Sequence, residues 1–186
     1  MEKKVENFSK NRGKIFQKGL EIVVNICYYI INRGENESEL GSKTKIWEDF
    51  IMIKVIYGAK GSGKTKMMID AANAAVAEAK GHLIFITDSK RGMYDLERAV
   101  RFIDTSEYDI AGEAALCGFI KGVIAGNNDN EFVFIDGVVR IAGKPVQEMA
   151  AFFYMLDKVS KSNDITITVS VSAAKEELPD FVTKYL

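Results

Sequence analysis

Eight consecutive residues, Gly58, Ala59, Lys60, Gly61, Ser62, Gly63, Lys64 and Thr65, constrain the fold of this chain more than any other stretch. They fit the pattern G-x-x-x-x-G-K-[ST], with an apolar run over residues 51–57 before them and helix-forming residues from Lys66 onward. Such a turn has to join a strand to a helix. Glycine takes positive φ without a Cβ clash and lets the main chain come close to a ligand. Successive amide N–H groups, and the start of the following helix, then converge on one anion. The ammonium of Lys64 adds a mobile positive charge, and the hydroxyl of Thr65 adds an oxygen ligand for a hard cation. A glycine-rich turn that binds nothing is the plainer alternative. The match at all four fixed positions, with both flanks in place, speaks against it.

The remaining sequence repeats the alternation of strand and helix. A first strand is expected over residues 52–57, then a helix from the loop to about Lys80, rich in alanine and stopped by Gly81. Residues 83–88 are apolar up to Asp88, the pattern of a strand covered on both faces. A short helix is expected over residues 93–100 and a short strand over 101–104. Leu116, Phe119, Ile120, Val123 and Ile124 share one face of a helix over residues 111–125. Residues 131–136 read as another buried strand, ending in Asp136. Pro145 suits the first position of a helix whose buried face carries Val146, Met149, Phe153 and Leu156. Residues 165–172 alternate Ile or Val with Thr or Ser, implying a strand with one apolar and one solvated face. Pro179 opens a short terminal helix. Strands alternating with helices imply right-handed βαβ units. The expected fold is therefore three-layer α/β, a mainly parallel sheet of about five strands with helices on both faces.

Bulk properties remove several function classes. The length of 186 residues favours one domain. A net charge of −1 creates no field that would draw the chain to nucleic acid or to anionic membranes. Cys27 and Cys117 are too far apart in sequence to suggest a metal or redox pair, and each reads as a small apolar residue in a reducing compartment. The apolar run over residues 22–31 is interrupted by Asn25 and is shorter than the roughly 20 residues of a membrane helix. No small-residue cleavage site comes after it. No membrane span and a cytoplasmic location are the expectation. Residues 1–51 nevertheless differ in character from the rest of the chain. Codons for Trp47, Glu48 and Asp49 can form a purine-rich ribosome-binding sequence just upstream of Met52. Two readings stand: translation starts at Met52 and residues 1–51 are artefactual, or they are a genuine extension carrying one amphipathic helix. Either way the functional domain is expected over residues 52–186.

Asp136 comes after four apolar residues, Phe132, Val133, Phe134 and Ile135, at the end of its strand. In an open parallel sheet a carboxylate there stands beside a phosphate-binding loop. With these two features, residues 52–172 resemble the P-loop NTPase superfamily, the loop matching its Walker A motif and Asp136 its Walker B. The resemblance implies binding of ATP or GTP with Mg²⁺. Residues 58–65 would cradle the phosphates, Lys64 would reach the β- and γ-phosphates, and Thr65 and Asp136 would serve the metal. The chain also resembles small bacterial ATP-binding proteins labelled PilT-like twitching-motility ATPases. It lacks the extra domain and the acidic and histidine motifs of true PilT-type motors, and its single histidine, His82, reads as a surface or turn residue.

The resemblance makes Lys64, Asp136 and Asp88 the catalytic candidates. Gly137 stands where many such ATPases carry a glutamate that polarises water. RecA-like enzymes instead place an acid at the end of the neighbouring strand, where Asp88 lies; Asp88 also reads as a turn former before Ser89. Arg91, Arg98, Arg101 and Arg140 are arginine-finger candidates or surface charges. Ser170 and Ser172 are candidate γ-phosphate sensors or part of a solvated strand face. Residues 136–139 break D-x-x-G, and N-K-x-D is not found, so a guanine preference lacks support. Arg140 is alone in its loop, without the lid of a nucleoside monophosphate kinase. Three readings stay open. The first is a small ATP-binding protein acting as a slow or partner-stimulated Mg²⁺-dependent ATPase. The second is a non-catalytic, nucleotide-regulated protein-binding module with residues 88–108 as its partner surface. The third is a small-molecule kinase. A protein partner or a homo-oligomer is left open.

Overall fold

Short apolar runs bounded by glycine and polar residues pair as strands here, and longer runs of helical period fold against them. The computed structural model describes residues 52–186. The expectations for residues 1–51, including the start at Met52 and the burial of Cys27, lie outside the described residues. In chain order the elements are β1 (Ile53–Gly58), α1 (Lys64–Val76), β2 (His82–Thr87), β3 (Val100–Asp104), α2 (Glu113–Ala125), β4 (Asn130–Ile135), α3 (Val138–Ala142), α4 (Ala150–Asn163), β5 (Thr166–Ser172) and α5 (Asp180–Thr183). The strands form one five-stranded sheet of order β1-β5-β4-β2-β3. Every neighbouring pair is parallel. This is the expected three-layer α/β architecture.

Successive strand residues face opposite sides of a sheet, and the two cores obey that rule. Leu83, Phe85, Val100 and Phe134 pack with Met68, Ile69 and Ala72 of α1 on one face. Ile84, Ile86, Val133, Ile135 and Val169 pack with Leu116, Ile120, Val138, Phe152 and Leu156 on the other. On the α1 face Phe85 stacks on Phe102 of β3 and on Phe134 of β4, with both centroid distances 6.4 Å. Beyond β1 the C-terminal residues cover an otherwise open strand edge: the Val55 amide donates to the Tyr185 carbonyl at 3.1 Å. Tyr185 stacks on Phe153 of α4.

Four local expectations need correction. Residues 93–100 do not form a helix; a single 3-10 turn, Met93–Asp95, gives way to extended chain at Leu96. The reason is a side-chain clamp. Asn73 of α1 donates to the Asp95 carbonyl and accepts from the Glu97 amide, both at 2.8 Å, which satisfies main-chain groups that a helix would otherwise have paired. The helix expected from Pro145 begins later, because a 3-10 turn, Val146–Glu148, precedes α4. Residues 138–142, read as loop, form α3 between Gly137 and Gly143, both in the left-handed region. The polar side of β5 is solvated only in part, since Thr168 and Ser170 are buried while Ser172 at its end is exposed.

Candidate nucleotide site

The register of three strands sets the geometry. Gly58 of β1 pairs with Ser172 of β5, and Val169 of β5 pairs with Ile135 of β4. The loop after β1 and Asp136 after β4 therefore open on the same carboxyl edge. β5 lies between them, so the two strands stand roughly 10 Å apart, twice the interstrand spacing.

The loop conformation depends on its glycines. Gly61 and Gly63 have φ of 83° and 86°. At Gly58 a Cβ would stand 2.6 Å from Ser62 Oγ, so only glycine lets the turn close this tightly. The Ser62 amide donates to the Ala59 carbonyl at 3.1 Å, and the Met67 amide donates to the Gly63 carbonyl at 3.1 Å. The first-turn amides before Met67 therefore lack intrahelical acceptors and are available to an anion.

Lys64 is buried, with 8% of its surface exposed. Its Nζ folds back and donates to the Gly58 and Ala59 carbonyls, each at 2.8 Å. Burial pushes its pKa below the ordinary lysine value, Asp136 raises it and Arg140 lowers it further.

Asp136 is the centre of the opposite wall and is 3% exposed. Its Oδ2 accepts from Thr65 Oγ1 at 2.8 Å, and its Oδ1 accepts from Ser170 Oγ at 2.6 Å. Ser170 Oγ in turn accepts from the Gly137 amide at 2.8 Å. Thr65 from α1, Asp136 after β4 and Ser170 on the intervening β5 thus form one network. A buried carboxylate with both oxygens hydrogen-bonded is held in a single orientation.

Arg140 of α3 makes a two-point ion pair with Asp88 at the end of β2. Nε donates to Oδ2 at 2.6 Å, and the second bond joins Nη2 to Oδ1. The Arg140 side chain is 55% exposed and that of Asp88 23%, so solvent screens the pair and holds its contribution to about 1 kcal/mol or less. The hydrogen bond to Asp88 raises the Arg140 pKa against the lowering effect of burial.

A cavity of about 510 Å³ lies between these groups. Among the described residues its wall carries the cations Lys60, Lys64, Arg91 and Arg140 and the carboxylates Asp88 and Asp136, with Gly61, Gly63, Thr65, Ser170 and Ser172 among them. The sequence candidates Lys64, Thr65, Asp136 and Asp88 thus converge on one space, while Gly58 and Ala59 hold Lys64. Arg98 and Arg101 are exposed and not on this wall. His82 is exposed at the amino end of β2. Glu131 accepts from the Lys80 and Gly81 amides, each at 2.7 Å, and so braces the amino end of the sheet. Ser170 and the Asp88–Arg140 pair are what sequence reasoning under-weighted.

The donor set can be tested against a divalent cation. Among the described residues no cluster of three or more His, Cys, Asp or Glu side chains is placed to hold a metal. One hydroxyl and one carboxylate do not make a protein-only cage, but they suit Mg²⁺, which keeps several waters and takes other oxygens from a phosphate ligand.

No protein-family model matches the chain, and no curated protein does. Among solved structures the chain is similar to flagellar accessory protein FlaH from Methanocaldococcus jannaschii, at 13% identity and a TM-score of 0.43. That similarity covers 71% of this chain and 65% of the FlaH chain, so it spans just under two thirds of FlaH.

Proposed function

We propose that residues 52–186 bind ATP as its Mg²⁺ complex and hydrolyse it slowly, or faster when a partner stimulates them. The meeting of Thr65 and Asp136 carries this reading. These residues are 71 positions apart, yet they share a 2.8 Å hydrogen bond on the cavity wall that also holds Lys64. A hydroxyl and a carboxylate near an ammonium and the first-turn amides of α1 offer a cation site beside an anion site. A metal–triphosphate complex requires that combination.

Each residue then has a defined task. Loop amides and the start of α1 bind phosphate oxygens. Lys64 exchanges two neutral carbonyl acceptors for charged phosphate oxygens, which are stronger partners. Ser170 keeps the Asp136 carboxylate turned toward Thr65. Thr65 and Asp136 would hold Mg²⁺, which when bound supplies charge neutralisation at the β- and γ-phosphates. What the wall lacks explains the slow rate. Gly137 has no side chain to orient water, and the Asp88 carboxylate is occupied by Arg140. Among the described residues Asp136 is the only other carboxylate on the wall.

That same shortage favours a second reading, a module that binds nucleotide to regulate contact with a protein and does not turn it over. Phosphate release by the full chain with MgATP decides between them. Release that disappears in Asp136→Asn supports the ATPase. Tight MgATP binding without release supports the module. Release that depends on an added acceptor points to a kinase instead. If the wild type neither binds nor hydrolyses MgATP, both leading readings fail.

A further inference from the structure

We infer that this site reads the phosphate chain and not the base. Its ligand class is then the Mg²⁺ complex of any triphosphate, with ATP, GTP, CTP and UTP bound alike and inorganic tripolyphosphate bound with them. This rests on the nucleotide-binding reading above and specifies which part of the ligand is recognised.

Three observations carry it. First, the wall has the chemistry of an anion site. Cavities for organic ligands are lined mostly by apolar and aromatic side chains, with a few polar groups to fix orientation. Here the balance is reversed. Among the described residues every side chain on the wall is charged, carries a hydroxyl or belongs to glycine. Four cations stand there with two carboxylates, although the whole chain has a formal net charge of −1. That local excess suits a ligand that stays anionic after its metal is bound. Second, the groups able to read a base edge are already engaged. A carboxylate tells bases apart by accepting from their amino groups. Both oxygens of Asp136 accept from hydroxyls of the protein, and both oxygens of Asp88 are taken by Arg140. Third, the rim beside the loop is exposed and offers little to a base. Residues 60–63 are exposed, as are Lys66 and Met67 after the loop. Lys66 is paired with Asp70 at 3.2 Å. Met67 is 53% exposed, and a thioether has no donor and is a weak acceptor. A nucleoside leaving the phosphates over this rim meets solvent, the flexible Lys60 stem and that thioether. The phosphates, in contrast, meet a cradle built from the first-turn amides of α1 and Lys64.

Calorimetric titration of the full wild-type chain tests this, with MgATP, MgGTP, MgCTP, MgUTP and the Mg²⁺ complex of inorganic tripolyphosphate as the probes. One stacked base changes Kd by about fivefold or more. The other three nucleotides should therefore match MgATP within about fivefold, and tripolyphosphate should bind no more than about fivefold more weakly. Tripolyphosphate should also displace MgATP, and Lys64→Met should remove the binding of all five together. A nucleotide outside the fivefold range, or a larger loss with tripolyphosphate, means that the base is read and overturns the inference while the nucleotide reading stands. Tripolyphosphate that fails to displace MgATP, or that still binds Lys64→Met, occupies another place and overturns it equally. Failure of the wild type to bind MgATP removes the nucleotide reading, and this inference with it. The comparison among ligands is made on the wild type, so it holds whether or not the variant folds, and a melting curve shows whether Lys64→Met does.

Discussion

Lys64 keeps a charge in a nearly buried place with two main-chain carbonyls as its hydrogen-bond acceptors. Burial lowers its pKa from 10.5. Between the lowered value and 10.5 the unfolded chain binds more protons at this group than the folded one. The group therefore opposes folding fully below that window, and the penalty relaxes as pH rises through it. Ligand binding has the opposite sign, because phosphate needs the protonated amine. MgATP affinity should thus decline with rising pH before the ordinary lysine range is reached. An affinity that stays flat up to that range contradicts the assignment. Lys64→Met should leave the melting temperature unchanged or higher, yet remove the shift caused by MgATP. Ser170 has the reverse profile. Ser170→Ala strips a hydrogen bond from the Gly137 amide and one from Asp136, both buried, and should cost about 1–3 kcal/mol in urea unfolding. An unchanged unfolding free energy would show that the network is dispensable. The glycine-rich turn at residues 58–65 and the strand-end Asp136 were legible in the sequence because each is a local pattern. The partnership of Asp88 with Arg140 was not, since 52 residues separate them. Ser170 looked solvated because alternation along β5 says nothing about what covers its polar side.

At the scale of elements, periodicity located the five strands and the three long helices, because buried faces leave a regular trace. It failed where tertiary contacts override local preference. The turn at Met93–Asp95 is held by Asn73, and no feature of residues 93–100 themselves announces a clamp from α1. Asn73→Ala should lower amide-exchange protection in the turn and at Glu97 while leaving the protection of β4 and β5 intact. Uniform protection in the variant would rule out the clamp. Gly137 and Gly143 were the available sign of α3, two left-handed ends around five residues that are apolar except for Arg140. The stacked rings of β3, β2 and β4 make Phe85 the centre of the core under α1. Phe85→Ala should cost about 3–5 kcal/mol, measured by chemical denaturation. A loss well under that range would mean the α1 face is not packed as described.

For the whole molecule, strand order is the property that makes the site and the one the sequence withheld. Composition and alternation implied a parallel α/β sheet, but only the order β1-β5-β4-β2-β3 places Ser170 between the glycine-rich loop and Asp136. No helix among the described residues is long and apolar enough to cross a membrane. On the nucleotide reading, groups brought together from both sides of β5 should make nucleotide binding a property of the assembled sheet. It should be lost with unfolding and return stability to the fold through mass action, about 2.7 kcal/mol at a hundredfold excess over Kd. The most direct measurement is the thermal stability of the full chain with and without MgATP, in the wild type and in Lys64→Met. A clear rise in melting temperature for the wild type and none for the variant is the predicted result. No rise for the wild type at millimolar MgATP, or an equal rise for both, contradicts the account.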